Sequence, residues 1–282
     1  MKFSILLSIF FVTIIGSCSQ QPMQFTGHTS VIGELEIPIV AITSPETITA
    51  EKRCPNDMIL VEGDFCPVVE QRCKKWVNVD GTHANAPKPK ETGRCGEYEK
   101  TKCKSENLVQ MKFCIDINEF SEPGSIGAKS WVSAYEAKEL LEAREKRLCT
   151  DQEWTFACEG PEMLPYPYGY TRDKRKCNFD NSMVGVDVFQ SRAPNDKMSL
   201  TLNRLLNSNQ VPSSCLSPFK VENMVGNIDE WVSTASTGQK YDVALMGGHV
   251  FGVRNACRPR TTSHGPEFKW YETGTRGCKN IQ

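Results

Sequence analysis

Apolar and polar positions alternate along this chain in three distinguishable ways. From Phe3 to Ile15 the residues are apolar apart from Ser4, Ser8 and Thr13, with Lys2 just before them. Further on, the apolar positions become short and periodic. Met58-Ile59-Leu60-Val61, followed by Gly63, Phe65 and Cys66, predicts a strand running into a turn. Val109 to Ile117 predicts a second strand with Phe113, Ile115 and Ile117 on one face. Ala134, Ala137, Leu140 and Leu141 then recur at helical spacing. Ser133 and Glu136 supply a capping box for that helix, because each side chain can satisfy the other residue's backbone N–H. Thr150 and Glu153 repeat the device for a shorter helix carrying Trp154 and Ala157, which Gly160-Pro161 ends. Both helices read as scaffold, with Trp154 in the core.

The apolar leader is too short to cross a membrane comfortably and closes on Ile15-Gly16-Ser17-Cys18. An aliphatic residue and two small ones before a cysteine fit a bacterial lipobox, so residues 1–18 are expected to be a lipoprotein signal with Cys18 acylated. Ser19 in place of Asp points to the outer membrane, facing the periplasm or the exterior. Residues 19–50, rich in Thr, Ser, Gln, Pro and Gly, read as a tether that holds a folded domain, residues 51–282, clear of the lipid. Thirteen cysteines, one of them Cys18, leave an even dozen, as expected of a disulfide framework in an exported domain. Cys149–Cys158 and Cys257–Cys278 are the local pairings that sequence separation suggests. Residues 78–93, rich in Pro, Lys, Asn and Gly, read as an exposed insertion. With 33 basic and 34 acidic residues, the charge balance gives no reason to expect nucleic acid as a partner. Twenty glycines and sixteen prolines argue for much irregular backbone.

Asn223-Met224-Val225-Gly226-Asn227-Ile228-Asp229-Glu230-Trp231 concentrates turn-forming and oxygen-bearing residues. From composition alone it is a turn entering a strand, or a loop that turns oxygens onto a hard cation. The stretch resembles the N-x-x-G-N-x-x-E-W signature of the formylglycine-generating enzyme (sulfatase-modifying factor) family. Four further blocks resemble that family in the same order: Lys146–Cys158, Tyr166-Pro167-Tyr168-Gly169, Gly247-Gly248, and Gly274-Thr275-Arg276-Gly277-Cys278. Phe113–Phe120 is similar to its F-x-I-D-x-x-E-V block; Asp116 and Glu119 there are expected to be turn carboxylates rather than catalysts. The resemblance implies a disulfide-rich α+β fold, the formylglycine-generating-enzyme fold related to C-type lectins, with little regular secondary structure. It also implies calcium: one ion at Asn178 and Phe179, completed by Asp187 and Phe189, and a second at Asn223, Gly226, Ile228 and Glu230.

The family oxidises a substrate cysteine on copper(I) held by two thiolates spaced C-x-x-x-x-C, soft ligands that suit the metal. Here the second position is Cys257, but the first is Gly252, and His249 replaces the family's serine. Copper is therefore not expected. Two readings stand. The first is a lipid-anchored binding module for a peptide, glycan or exported protein. Tyr166 and Tyr168 would wall its groove, and Arg254, Arg258 and Arg260 would hold a carboxylate or phosphate. The second is an oxidoreductase in which Cys257, with or without His249, binds a metal.

Overall fold

The computed structural model describes residues 54–77, 94–125, 127–181, 213–234, 238–252 and 254–281. The signal, the tether, the 78–93 insertion, Asp187 and Phe189 lie outside these residues.

Two four-stranded sheets organise the domain. In the first, Met58–Phe65 pairs antiparallel with Val109–Asp116, which pairs with Gly277–Asn280, which pairs with Arg147–Leu148. In the second the order is Arg260–Thr261, Val243–Met246, Asp229–Ser233, Thr273–Thr275, and the last pair is parallel. Two short hairpin-like sheets, Val69–Glu70 with Lys102–Cys103 and Cys73–Trp76 with Cys95–Tyr98, flank this core. The expected turn at Gly63 is instead the interior of an eight-residue strand. Glycine is needed there because a Cβ would press on the Phe156 ring at 3.2 Å.

Both helices form where their caps place them. Ala134–Glu142 opens on the Ser133–Glu136 box and buries Ala134, Ala137 and Leu141, the last worth roughly 1.5–3 kcal/mol of apolar burial. Asp151–Glu159 opens on the Thr150–Glu153 box. It packs against strands of both sheets and carries the fully buried Trp154 and Phe156. Gly160 ends it at φ 65°, with Pro218 where a side chain would stand.

The C-terminal segment contributes a strand to each sheet, and Arg276 is the residue between the two strands. It is 1% exposed. Its guanidinium donates to both oxygens of Glu230 in the second sheet (2.8–3.1 Å), to the carbonyls of Asp116 and Ile117 at the end of a first-sheet strand (both 3.0 Å), and to the Glu222 carbonyl (2.7 Å). Every N–H of the fork has an acceptor, which is the condition under which a buried charge is tolerable.

All twelve cysteines of the domain are bonded: 54–114, 66–103, 73–95, 149–278, 158–257 and 177–215. The local pairings expected from sequence are exchanged. The strand register sets Cys278 opposite Arg147, beside Cys149, while Cys257, whose N–H donates to the Pro165 carbonyl, meets Cys158 at the end of the second helix. Such closures typically contribute ~2–4 kcal/mol each by restricting the unfolded chain.

Replacing Arg276 by Ala would leave Glu230 buried without its cation. The expected loss is about 3–5 kcal/mol in urea unfolding. A variant within about 1 kcal/mol of the parent would show that the pair does not couple the sheets.

Candidate functional site

The thiolate positions expected from sequence meet different chemistry. Cys257 is bonded to Cys158. At Gly252, φ is 82°, and a Cβ would overlap Asp180 Oδ1. Asp180 is fixed there by Arg172, whose Nε and Nη2 donate to its two oxygens at 2.8 and 2.7 Å. Arg172 also donates to Asn255 Oδ1 at 3.2 Å and lies 4.4 Å over the Phe179 ring. Its path inward follows from the turn before it. Tyr166 and Gly169 exchange backbone hydrogen bonds (3.1 and 3.0 Å), the Tyr166 hydroxyl donates to the Cys95 carbonyl, and the Tyr168 hydroxyl accepts from the Asp173 N–H at 3.1 Å.

The Asp180 carboxylate, with its side chain 29% exposed, faces a groove of about 570 Å3. Lys75 and Trp76 of the Cys73–Trp76 strand line it together with Arg172 and Lys174.

A second polar cluster lies around the Gly247-Gly248 turn. His249 Nε2 stands 3.1 Å from Glu272 Oε2, so one proton must lie between them. Burial, and then the neighbouring Asp229, push the Glu272 carboxyl up to about 7, and Arg254 only partly offsets them. Burial likewise raises Asp229 against the pull of Arg254, and burial lowers His264. Asp229, fully buried, accepts from the Gly248 N–H at 3.1 Å and from Arg254 Nη2 at 2.7 Å. The Tyr271 ring packs edge-on to His249, with centroids 5.8 Å apart.

Against these sites stand the comparisons with known proteins. The sulfatase-modifying factor enzyme 1-like domain matches residues 129–281, more than half of the chain. The chain belongs to that family. No curated protein sequence matches it. Among solved structures it is similar to one titled Crystal Structure of CarF (TM-score 0.48, 14% identity, 81% of this chain and 99% of that one). PvdO from Pseudomonas aeruginosa is also similar (TM-score 0.42, 14% identity, 79% and 94%), as is a Major Tropism Determinant U1 variant (TM-score 0.37, 15% identity, 60% and 50%).

Within the sulfatase-modifying factor domain, the expected calcium ligands are only partly free to bind. The loop turns at Asn223, Gly226 and Asn227 with φ of 56°, 82° and 57°. A Cβ at Gly226 would strike the Asn178 carbonyl at 2.5 Å, so the close approach of the two loops requires glycine. Ile228 is buried behind the turn. Both oxygens of Glu230 accept from Arg276, and one also from Trp154 Nε1 at 2.6 Å. The Asn178 amide is engaged at both ends: its oxygen accepts from Asn181 Nδ2, and its nitrogen donates to Asn227 Oδ1, each at 2.8 Å. Phe179 is buried beneath Arg172, and its partners at the first ion site, Asp187 and Phe189, fall outside the described residues.

At the second ion site, two buried oxygens stand open in the way a hard cation's ligands do. Asn223 Oδ1 is a buried acceptor without a donor. Beside the loop, Glu119 accepts from Asn227 Nδ2 at 2.6 Å, while its other oxygen is also unpartnered. Burial, and then the Glu230 charge, raise its carboxyl well above the usual range. Glu119 and Glu230 share one guanidinium, and burial favours the neutral form of the carboxyl that Arg276 does not clasp; a cation bound beside it would favour the ionised form instead. No cluster of three or more His, Cys, Asp or Glu side chains suited to a metal occurs among the described residues.

The remaining expected binding residues serve internal contacts. Arg258 clasps the fully buried Glu159 (2.6 and 2.5 Å) and two backbone carbonyls. Arg260 pairs with Asp151, and Arg254 with Asp229. Tyr166 and Tyr168 stack on each other, with Tyr166 buried, so they do not present a pair of exposed faces. Asp116, expected as a turn carboxylate, pairs with Lys146 at 2.5 Å. Sequence reasoning missed Arg172, Asp180, Lys75, Trp76 and Glu272. None lies in a signature block, and only the reversal of the chain at 166–172 brings Arg172 and Asp180 to Gly252.

Glu272 gives this cluster a pH signature. A carboxyl raised from 4.5 to about 7 stabilises the folded state fully below its unfolded value, and that contribution is lost as pH rises through 7. Urea-unfolding stability should fall between pH 5 and 8, with a slope of up to about 1.4 kcal/mol per pH unit for this proton. Glu272→Gln should flatten that slope. Equal slopes in parent and variant would contradict the assignment.

Proposed function

We propose that this sulfatase-modifying factor domain is a binding module, held at the outer membrane of a bacterial envelope by a lipid on Cys18, and that it lacks the two-thiolate copper oxidase centre. The observation that carries this reading is that neither thiolate position offers a free sulfur. The sulfur of Cys257 is bonded to Cys158, and the space a side chain would need at Gly252 holds Asp180, clamped by Arg172. Neither position offers copper(I) a soft ligand. An oxidoreductase working through Cys257 would need that sulfur as a free thiol, and the disulfide argues against it. The binding site is the groove that Asp180 faces, and its partner is a glycan, peptide or exported protein. No helix among the described residues is long and apolar enough to cross a membrane.

Calcium belongs to this reading as a structural ion. Asn223, with the backbone oxygens of Gly226 and Ile228, would hold it beside the charge of Glu230, and it would add stability by binding only the folded loop.

Elemental analysis of the purified full chain should find calcium and no stoichiometric copper, and EDTA should lower Tm by several degrees. One copper per chain would refute the binding-module reading; an unchanged Tm with no co-purifying calcium would refute the ion. A Cys18→Ala variant should leave the membrane fraction. If it still sediments with membranes, the anchor is elsewhere.

A further inference from the structure

The groove beneath Asp180 has a charge pattern that selects its ligand. Each carboxylate on its lining already has a cation: Asp180 has Arg172, Asp173 has Arg175 at 2.8 Å, and Glu97 has Lys74 at 2.6 Å. Lys75 and Lys174 are left over on the lining, both exposed and neither in an ion pair among the described residues. Two ammonium groups lining one groove, with the carboxylates there already paired, lower the free energy of a ligand bearing negative charge. The volume, about 570 Å3, is that of a site for small molecules or a few units of a polymer.

Two further features distinguish a sugar from a polypeptide. Trp76, half-buried, also lines the groove, and a flat ring packs well against the C–H face of a pyranose. Asp180 holds acceptor oxygens in place, pinned by Arg172 and 29% exposed, which suits hydroxyl donors. A peptide adding as a strand alongside Cys95–Tyr98 would need the outer edge of that strand to be free. That edge is occupied: the Tyr98 N–H donates to the Tyr170 carbonyl at 2.9 Å, and the Arg172 N–H to the Gly96 carbonyl at 2.8 Å.

We propose that this groove binds an anionic polysaccharide, a sugar polymer bearing carboxylate or sulfate groups, with Lys75 and Lys174 pairing its charges and Trp76 carrying a sugar face. The inference rests on the binding-module reading, whose own failure would appear as bound copper and is independent of any titration with sugar. Exposed lysines contribute through a screened field, so affinity should fall as salt rises.

The full chain in detergent is titrated calorimetrically with polygalacturonate, and in parallel with heparin, neutral dextran and poly-L-glutamate. Binding is expected for polygalacturonate or heparin, and whichever binds identifies the carboxylate or the sulfate as the anion. Lys75→Ala combined with Lys174→Ala should weaken that binding at least tenfold with Tm unchanged, and Trp76→Ala should weaken it too. Lys138→Ala, on the outer face of the first helix, should not. Tighter binding of poly-L-glutamate would overturn the proposal in favour of an acidic polypeptide. Dextran binding as tight as that of the charged polymers, an equal effect of Lys138→Ala, or no binding of either anionic polymer would overturn it outright.

Discussion

The fully buried pair of Arg276 and Glu230 is the contact on which the rest of this domain depends. The last strands of the chain belong to different sheets, and the single residue between them carries the charge that joins those sheets. A guanidinium this deep is tolerable only because every N–H finds an oxygen, and those oxygens come from Glu230, Asp116, Ile117 and Glu222, on segments far apart in sequence. The arrangement fixes the 223–231 loop from behind. Trp154 of the second helix donates to the same carboxylate, so helix, loop and both sheets converge on one anion. The six disulfides hold the irregular segments around this centre, and 149–278 ties the helix-bearing segment to the strand just after Arg276.

From that frame follows what the surface can do. The 166–181 segment turns on Tyr166 and Gly169 and brings Arg172 and Asp180 to Gly252. A glycine with φ 82° leaves room there for a carboxylate from another segment. The soft-metal position of the family is thereby filled by a hard, ion-paired oxygen group, and the sulfur five residues on is covalently committed to Cys158. Membership of the family therefore leaves the chemistry of this site to its own residues, because a fold does not dictate the chemistry of its site.

Much of the scaffold was legible in the sequence for definite reasons. Capping boxes at Ser133 and Thr150, the apolar spacing of Ala134, Ala137 and Leu141, and the alternation through Phe113 and Ile115 are local signals whose physics does not need the rest of the chain. The family itself was readable because its blocks are contiguous. What stayed hidden depends on long-range placement. Nothing local says that Cys149 meets Cys278 rather than Cys158, since strand register decides it. Likewise, Arg254, Arg258 and Arg260 look like a free basic strip until Asp229, Glu159 and Asp151 come from elsewhere to neutralise them. Lys75 and Lys174 carry no motif at all; they are conspicuous only because the carboxylates around them are already paired.

The state of the sulfurs tests this account most directly. The full chain would be alkylated under denaturing, non-reducing conditions, and its intact mass and peptide map recorded. The account predicts no label on any of the twelve cysteines after Cys18 and a cross-linked peptide pair joining Cys158 to Cys257. Label on Cys257 would contradict it: a thiol kept free at the family's copper position would return oxidative chemistry to this site.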